Sequence, residues 1–342
     1  MLRVGLIGLG DVSPIHVHAI HSSEHGELVA VCDVNTELSS NYPETPFFST
    51  VDRMLEKMKL DVVHVCLPHD QHYPITQKCV DHGVHVYLEK PVAMTYEEAL
   101  KQVDVQNQTD KKICVSFQNR YNATFERLMS ILKNEDVGDV TSIKGLVTWF
   151  RPESYYTTKP WRGKKETAGY GSIINQSIHT LDLIQFIGGE LLSCKAVLSN
   201  LTDYAIEVED TASATFTFKS GVKPFFHATN AYTENSSVEM QVITEKEKFT
   251  IKDSRLYITN DEGRKEVLVE DDKLPGSKFY YGAGHMYLIN RFYGSIINDT
   301  DDYVSVEDAL PSMAMIKLMD LSSNNTKRPE RIKLEEINYV TS

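Results

Sequence analysis

The first third of the chain alternates short apolar runs with amphipathic stretches. Leu2–Ile7, Leu28–Cys32, Val62–Cys66, Val84–Leu88 and Ile113–Phe117 are rich in β-branched and aliphatic residues. Between them, Pro14–Ser22, Tyr73–Asp81 and Tyr96–Gln106 carry helical patterns. Continuous apolar strands separated by helices predict a parallel sheet covered on both faces. After about residue 120 the pattern changes. A helix over Ala123–Lys133 leads into a β-prone run, Val140–Phe150, and Ser172–Ile187 reads as one apolar helix. Thr211–Phe218 alternates, with Ala212, Ala214, Phe216 and Phe218 on one face and Thr211, Ser213, Thr215 and Thr217 on the other. Ser237–Thr244 and Lys248–Ile251 behave similarly, and Arg255–Thr259 and Lys265–Val269 flank a turn at Asn260-Asp261-Glu262-Gly263. Period-two alternation with one polar face predicts an open, mostly antiparallel sheet. Helices over Met286–Ile297 and Val306–Leu321 complete the pattern. The expected fold is an α/β domain over 1–120 and an α+β domain over 121–342, whose C-terminal part can pack back on the first domain.

Composition adds little to the fold but narrows the partners. The chain has 342 residues, a length that suits two domains, and a net charge of −13. That charge disfavours a general grip on nucleic acid or anionic lipid. The five cysteines form no CxxC and sit in apolar runs, so buried thiols are expected rather than disulfides or zinc. The N-terminal apolar stretch is too short to span a membrane and lacks a signal-peptide pattern, so a cytoplasmic protein is expected. His16, His18, His21 and His25 do not share a helix face, and no metal site is expected.

The candidate chemistry begins at strand one. Leu2–Ile7 runs into Gly8-Leu9-Gly10-Asp11-Val12 and then a helix, the order in which a dinucleotide pyrophosphate meets a tight turn and unpaired helix N–H groups. Ser13 stands where the third glycine of GxGxxG would fall, so the fingerprint is incomplete. Asp33 ends the second strand 23 residues after Gly10, close to the spacing of an acid that binds the adenosine ribose. A carboxylate there repels the extra phosphate of NADP, and no Lys or Arg lies within Val34–Ser40, so NAD is preferred. Lys90, in Glu89-Lys90-Pro91, follows a strand and would lie at the carboxyl edge of the sheet as a hydrogen-bond or proton donor. On the Ser172–Ile187 helix, Asn175, His179 and Asp182 fall on one stripe, where a histidine can exchange a proton. Trp161 and Arg162 suit flat or anionic ligands.

The order of these pieces is more specific than any one of them. Gly8-Leu9-Gly10, Pro68-His69-Asp70-Gln71-His72, Glu89-Lys90-Pro91, Phe117–Asn122, Trp161-Arg162, the helix of Asn175, His179 and Asp182, and Gly282-Ala283-Gly284-His285 follow in sequence. Across nearly its full length the chain resembles the glucose–fructose oxidoreductase/inositol dehydrogenase (Gfo/Idh/MocA) family. The resemblance implies a Rossmann domain and a second domain whose open sheet makes a homodimer or homotetramer. It implies a dehydrogenase or reductase acting with NAD on a secondary alcohol or ketone of a sugar, cyclitol or sugar derivative. Lys90 and His179 would be the catalytic pair, and Asn175 stands where many members carry Asp. Pro68, His69, His72, Glu89, Lys90 and Arg120 would face the cofactor, and Asn175, Trp161, Arg162, Asp182 and His285 the substrate. Two other readings remain open at this point: an NAD-retaining glycoside hydrolase working through transient oxidation, and a non-catalytic NAD-responsive binding protein.

Overall fold

The computed structural model describes residues 1–272, 283–324 and 329–338. Strands β1 (Leu2–Ile7), β2 (Gly26–Cys32), β3 (Phe47–Phe48), β4 (Val62–Val65), β5 (His85–Leu88) and β6 (Ile113–Val115) form one parallel sheet in the order β3-β2-β1-β4-β5-β6. Their connections carry helices α1 (Ser13–His21), α2 (Val51–Lys57), α3 (His72–Asp81) and α4 (Tyr96–Asn107). This is the strand order of the doubly wound dinucleotide fold, reversing direction between β1 and β4. Val4, Leu6 and Ile7 of β1 and all four residues of β4 are buried, as strands covered on both faces require. Thr95 caps α4 by accepting from the Glu98 N–H at 3.2 Å, and Pro14 occupies the first turn of α1, where its missing N–H costs nothing.

The remaining elements are helix α5 (Ala123–Asn134), strand β7 (Val140–Thr148), and short helices α6 (Glu153–Thr157), α7 (Lys165–Ala168) and α8 (Ser172–Asn175). Helix α9 (Ile178–Gly188) follows, then strands β8 (Leu191–Ser199), β9 (Thr211–Phe218), β10 (Lys223–Thr229), β11 (Glu239–Thr244), β12 (Lys248–Lys252), β13 (Arg255–Thr259) and β14 (Lys265–Glu270). Helices α10 (Gly284–Asn298) and α11 (Val306–Ser323), strand β15 (Ile332–Lys333) and helix α12 (Glu335–Asn338) close the chain. Strands β7 to β15 form a nine-stranded sheet, β14-β13-β12-β11-β7-β10-β9-β8-β15, antiparallel except for the β10–β7 pair. The alternation read in β9 is present: Ala212, Ala214, Phe216 and Phe218 are buried while Thr215 and Thr217 are exposed. The β13–β14 hairpin turns through Asn260–Gly263, where Gly263 takes a φ of 79°.

The chain divides into two compact units, Met1–Gln118 with Gly284–Leu310, and Asn119–Ala283 with Pro311–Ser342. Residues Gly284–Leu310 group with the first unit. Within the first unit α10 packs on α1, and a Cβ on Gly26 would lie 2.6 Å from the Tyr293 ring. The five cysteines are buried and free. Among the described residues no helix is long and apolar enough to cross a membrane.

Candidate active site

In the first unit, the loop after β1 is shaped by its glycines. Gly8 has a φ of 86°, and a Cβ there would sit 2.4 Å from the Cys66 carbonyl oxygen, so any other residue is excluded twice over. A Cβ on Gly10 would meet nothing within 4 Å, which leaves open space beside that backbone. Helix α1 starts without a side-chain cap; Pro14 brings no N–H, and the Ser13 and Ile15 N–H groups donate to the Gly10 and Val12 carbonyls at 3.2 and 3.1 Å. Asp33 ties the loop together: its carboxylate accepts from Leu9 N and Asn35 N, each at 2.8 Å. A carboxylate has about four acceptor positions, so two remain for ribose hydroxyls. Val12 packs beside Leu6, Leu9, Val31 and Cys66, and Asp11 is exposed. The open glycine turn and the strand-end acid could hold NAD, with Gly8, Gly10, Asp11 and Val12 near the pyrophosphate and Asp33 near the ribose.

Three other predicted cofactor residues of this unit, Pro68, His69 and His72, lie at the loop after β4. Pro68 precedes a 3-10 turn over His69–Gln71, and His69 is buried. His72 Nδ1 lies 2.6 Å from the Pro91 carbonyl oxygen and its Nε2 2.9 Å from the Leu67 carbonyl oxygen. Burial pushes this imidazole below its ordinary pKa, while the two carbonyls favour keeping its proton. His72 thus ties the loop after β4 to the turn after β5.

The turn itself, Glu89-Lys90-Pro91, has Glu89 N donating to the Val65 carbonyl at 3.0 Å and a cis Lys90–Pro91 peptide. From Val86 to Ala93 only Lys90 is partly exposed; its neighbours on both sides are buried. Glu89, read as facing the cofactor, is buried. Its Oε1 lies 3.0 Å from His16 Nε2 and 3.2 Å from His285 Nε2, inside the unit. His285, read as a substrate residue, is accordingly buried against Glu89. Burial alone would raise the Glu89 pKa, but the hydrogen bonds from His16 and His285 hold it well below the usual carboxylate range. His16, His64 and Tyr293 extend this cluster. They were missed in the sequence, although a histidine inside the apolar run Val62–Cys66 signals a buried partner. Gly282, the first residue of the last motif, lies outside the described residues.

In the second unit, the helix expected over Ser172–Ile187 is broken. It divides into α8 and α9 at Gln176–Ser177, so Asn175 does not share a continuous helix with His179 and Asp182. Ser177 causes the break: its hydroxyl and its N–H both donate to the Ser172 carbonyl, at 2.7 and 3.0 Å. Gln176 is held on the other side by Asn230 at 2.9 Å. Glu209 accepts from Gly171 N and Ile173 N, each at 2.9 Å, and so fixes the start of α8; burial nevertheless pushes its carboxyl up to about 7. Helix α9 lies close on β7 because Gly145 has no side chain: a Cβ there would be 2.6 Å from Thr180. From Gly171 to Ile184, only Asn175 and His179 are partly exposed.

Asp182 and Arg120 were read as ligand-facing, one for substrate and one for cofactor. The structure pairs them. Arg120 donates to both Asp182 oxygens at 2.8 and 2.6 Å, with side-chain exposures of 8% and 1%, and Ser312 adds a third donor at 3.2 Å. A bidentate pair so enclosed anchors α9. Arg162 stacks on Tyr155, its guanidinium carbon 4.1 Å from the ring centre, with Trp161 5.7 Å away. Both side chains are half-buried.

Residues 2–117 match the model of an oxidoreductase family with an NAD-binding Rossmann fold, and residues 125–250 match the GFO/IDH/MocA C-terminal domain. The chain belongs to the Gfo/Idh/MocA family of NAD-binding oxidoreductases. Among relatives of this family, D-glucoside 3-dehydrogenase of Escherichia coli is 31% identical over 55% of this chain and 54% of that enzyme. D-apiose dehydrogenase of Paraburkholderia graminis is 23% identical over 98% of this chain and 92% of its own length. Of the solved structures, the WlbA dehydrogenase of Bordetella pertussis, in complex with NADH and UDP-GlcNAcA, has a TM-score of 0.83. It is 26% identical, over 97% of this chain and 98% of that one.

Proposed function

We propose that this Gfo/Idh/MocA protein is an NAD-dependent dehydrogenase acting on a secondary alcohol or ketone of a sugar, cyclitol or sugar derivative, with Lys90 and His179 as its acid–base residues. The observation that carries this reading is exposure. In two otherwise buried stretches the side chains left partly open are Lys90 in one, and Asn175 and His179 in the other. Bound NAD supplies the two-electron acceptor or donor. Lys90 donates a hydrogen bond to the substrate oxygen and stabilises negative charge as it develops there. His179 accepts the hydroxyl proton on oxidation and returns it on reduction. Asn175 orients the substrate by hydrogen bonding but takes no proton. The named relatives are dehydrogenases, which supports this reading over glycoside hydrolysis or simple NAD sensing.

NAD is favoured over NADP by the charge of Asp33. A cytoplasmic homodimer or homotetramer formed through the open face of the nine-stranded sheet is part of the proposal, supported by the exposure of Val197 on β8 and Phe225 on β10. The test is absorbance of reduced nicotinamide with NAD and a panel of polyols, sugars and sugar nucleotides. Lys90→Ala is expected to lower turnover by at least about a hundredfold while NAD affinity changes little. Loss of NAD binding with retained turnover per bound cofactor would reject the role given to Lys90.

A further inference from the structure

The residues that hold the Glu89–Pro91 turn are histidines that the proposed reaction does not use. In the first unit His16 Nδ1 lies 2.8 Å from His64 Nδ1, and His64 Nε2 lies 2.8 Å from the Tyr293 hydroxyl. Tyr87 stacks on His64 with ring centres 4.9 Å apart. All of these side chains are buried. Each contact between two atoms of this chain carries one proton, so the direction of one bond fixes the next. Glu89 is the end that decides. As an anion it accepts from His16 Nε2–H and His285 Nε2–H. His16 Nδ1 is then an acceptor and takes the His64 Nδ1–H, and His64 Nε2 takes the Tyr293 O–H. Burial lowers the pKa of His16 and lowers that of His64 well below its ordinary value, in keeping with neutral rings at these two residues.

A buried ionic cluster rarely gives more stability than apolar packing of equal volume. This one instead fixes a place: the residue after Glu89 is Lys90, and the residue after that has its carbonyl held by His72. We propose that His16, His64, His285 and His72 are positioning residues for Lys90, the first three with Tyr293 holding Glu89 as a buried anion in a single proton order and His72 holding Pro91 on the other side. The inference rests on the role assigned to Lys90 above. Positioning errors of about 1 Å cost as much as a hundredfold in rate, which sets the expected scale.

The test uses the full chain with NAD and an alcohol found active in the panel, comparing wild type, His16→Leu, His16→Gln and Lys90→Ala. His16→Leu should lower kcat by about 10- to 100-fold. KM for the alcohol and Kd for NADH, read by fluorescence quenching, should stay within about twofold. His16→Gln keeps an N–H near the Nε2 position and should recover most of the loss. Independently of turnover, nitrogen-15 NMR of the histidine rings should give neutral Nε2–H forms for His16 and His285 and a neutral Nδ1–H form for His64. Unchanged kcat in His16→Leu, beside an inactive Lys90→Ala, overturns the inference and leaves the role of Lys90 standing. Equal losses in both His16 variants with raised KM and Kd, the opposite tautomers, or a stoichiometric divalent metal on His16, Glu89 and His285, whose ligand atoms lie within 4.8 Å of one another, would also overturn it. Full turnover in Lys90→Ala overturns the role of Lys90, and the inference with it.

Discussion

Removing the Asp182 carboxylate should take from the enclosed Arg120 guanidinium the anion that accepts two of its hydrogen bonds. Its side chain is only 8% exposed, so water cannot restore what the carboxylate supplied. Breaking one side of such a pair costs about 3–5 kcal/mol, and losing the acceptor for Ser312 adds about 1 kcal/mol. Asp182→Leu is therefore expected to destabilise the second unit by about 4–6 kcal/mol. Arg120→Leu should cost a similar amount, since it strands a carboxylate that is 1% exposed. Replacing both residues by leucine removes both charges at once, and its cost should fall to about 2 kcal/mol or less. The coupling in the double-mutant cycle is then large and opposite in sign to the single losses. The assay is urea unfolding followed by tryptophan fluorescence. Both tryptophans of the chain, Trp149 and Trp161, belong to the unit that holds the pair. Linear extrapolation gives the free energies. Single variants losing under about 1 kcal/mol, or a double variant losing the full sum, would refute the argument that desolvated charge dominates at this contact.

Two further outcomes follow from the same kind of reasoning. Burial raises the Glu209 carboxyl from 4.5 to about 7, so the folded chain binds that proton more tightly than the unfolded one. Its stabilising contribution is complete below pH 4.5 and is lost as pH rises to about 7, a change of about 3 kcal/mol. Unfolding free energies of wild type and Glu209→Gln between pH 4.5 and 8 should diverge by that amount, and parallel curves would disprove it. Asp33→Asn removes the charge that opposes a ribose phosphate while keeping an acceptor for Leu9 N. The ratio of NAD to NADP affinity should fall by about 5- to 100-fold, corresponding to about 1–3 kcal/mol of charge repulsion; an unchanged ratio in fluorescence titrations would show that Asp33 does not set it.

What the sequence made legible was what local physics controls. The strands of the first unit are buried on both faces and so announce themselves as continuous apolar runs. Thr211–Phe218 alternates because one face of its sheet is covered and the other is not. The break at Gln176–Ser177 was hidden, since no glycine or proline marks it. It depends on a serine hydroxyl competing for a backbone carbonyl and on Asn230, 54 residues away from Gln176. The Arg120–Asp182 pair spans 62 residues and has no local signature, so each charge read alone looked available for a ligand. The contact between Glu89 and His285 had no local signature for the same reason, its residues being 196 apart. The partly exposed Lys90, Asn175 and His179 were all singled out by residue type and spacing.

The first unit is assembled from two stretches of chain that are far apart in synthesis. A nascent polypeptide that has emerged through Gln118 holds all six strands of the parallel sheet but not Gly284–Leu310. Until those residues arrive, Glu89 lacks His285, His64 lacks Tyr293, and the backbone of Val115 lacks the Val304 carbonyl that accepts its N–H. At 5–20 residues per second the wait is roughly 10–40 s, during which eight strands of the nine-stranded sheet, β7 to β14, are being made. Neither unit is continuous in the chain: the first cannot reach its final form before Leu310 is made, nor the second before the residues that follow Pro311. A ribosome-bound chain cut short before α10 should carry an incompletely closed nucleotide fold, the form on which chaperones and proteases act.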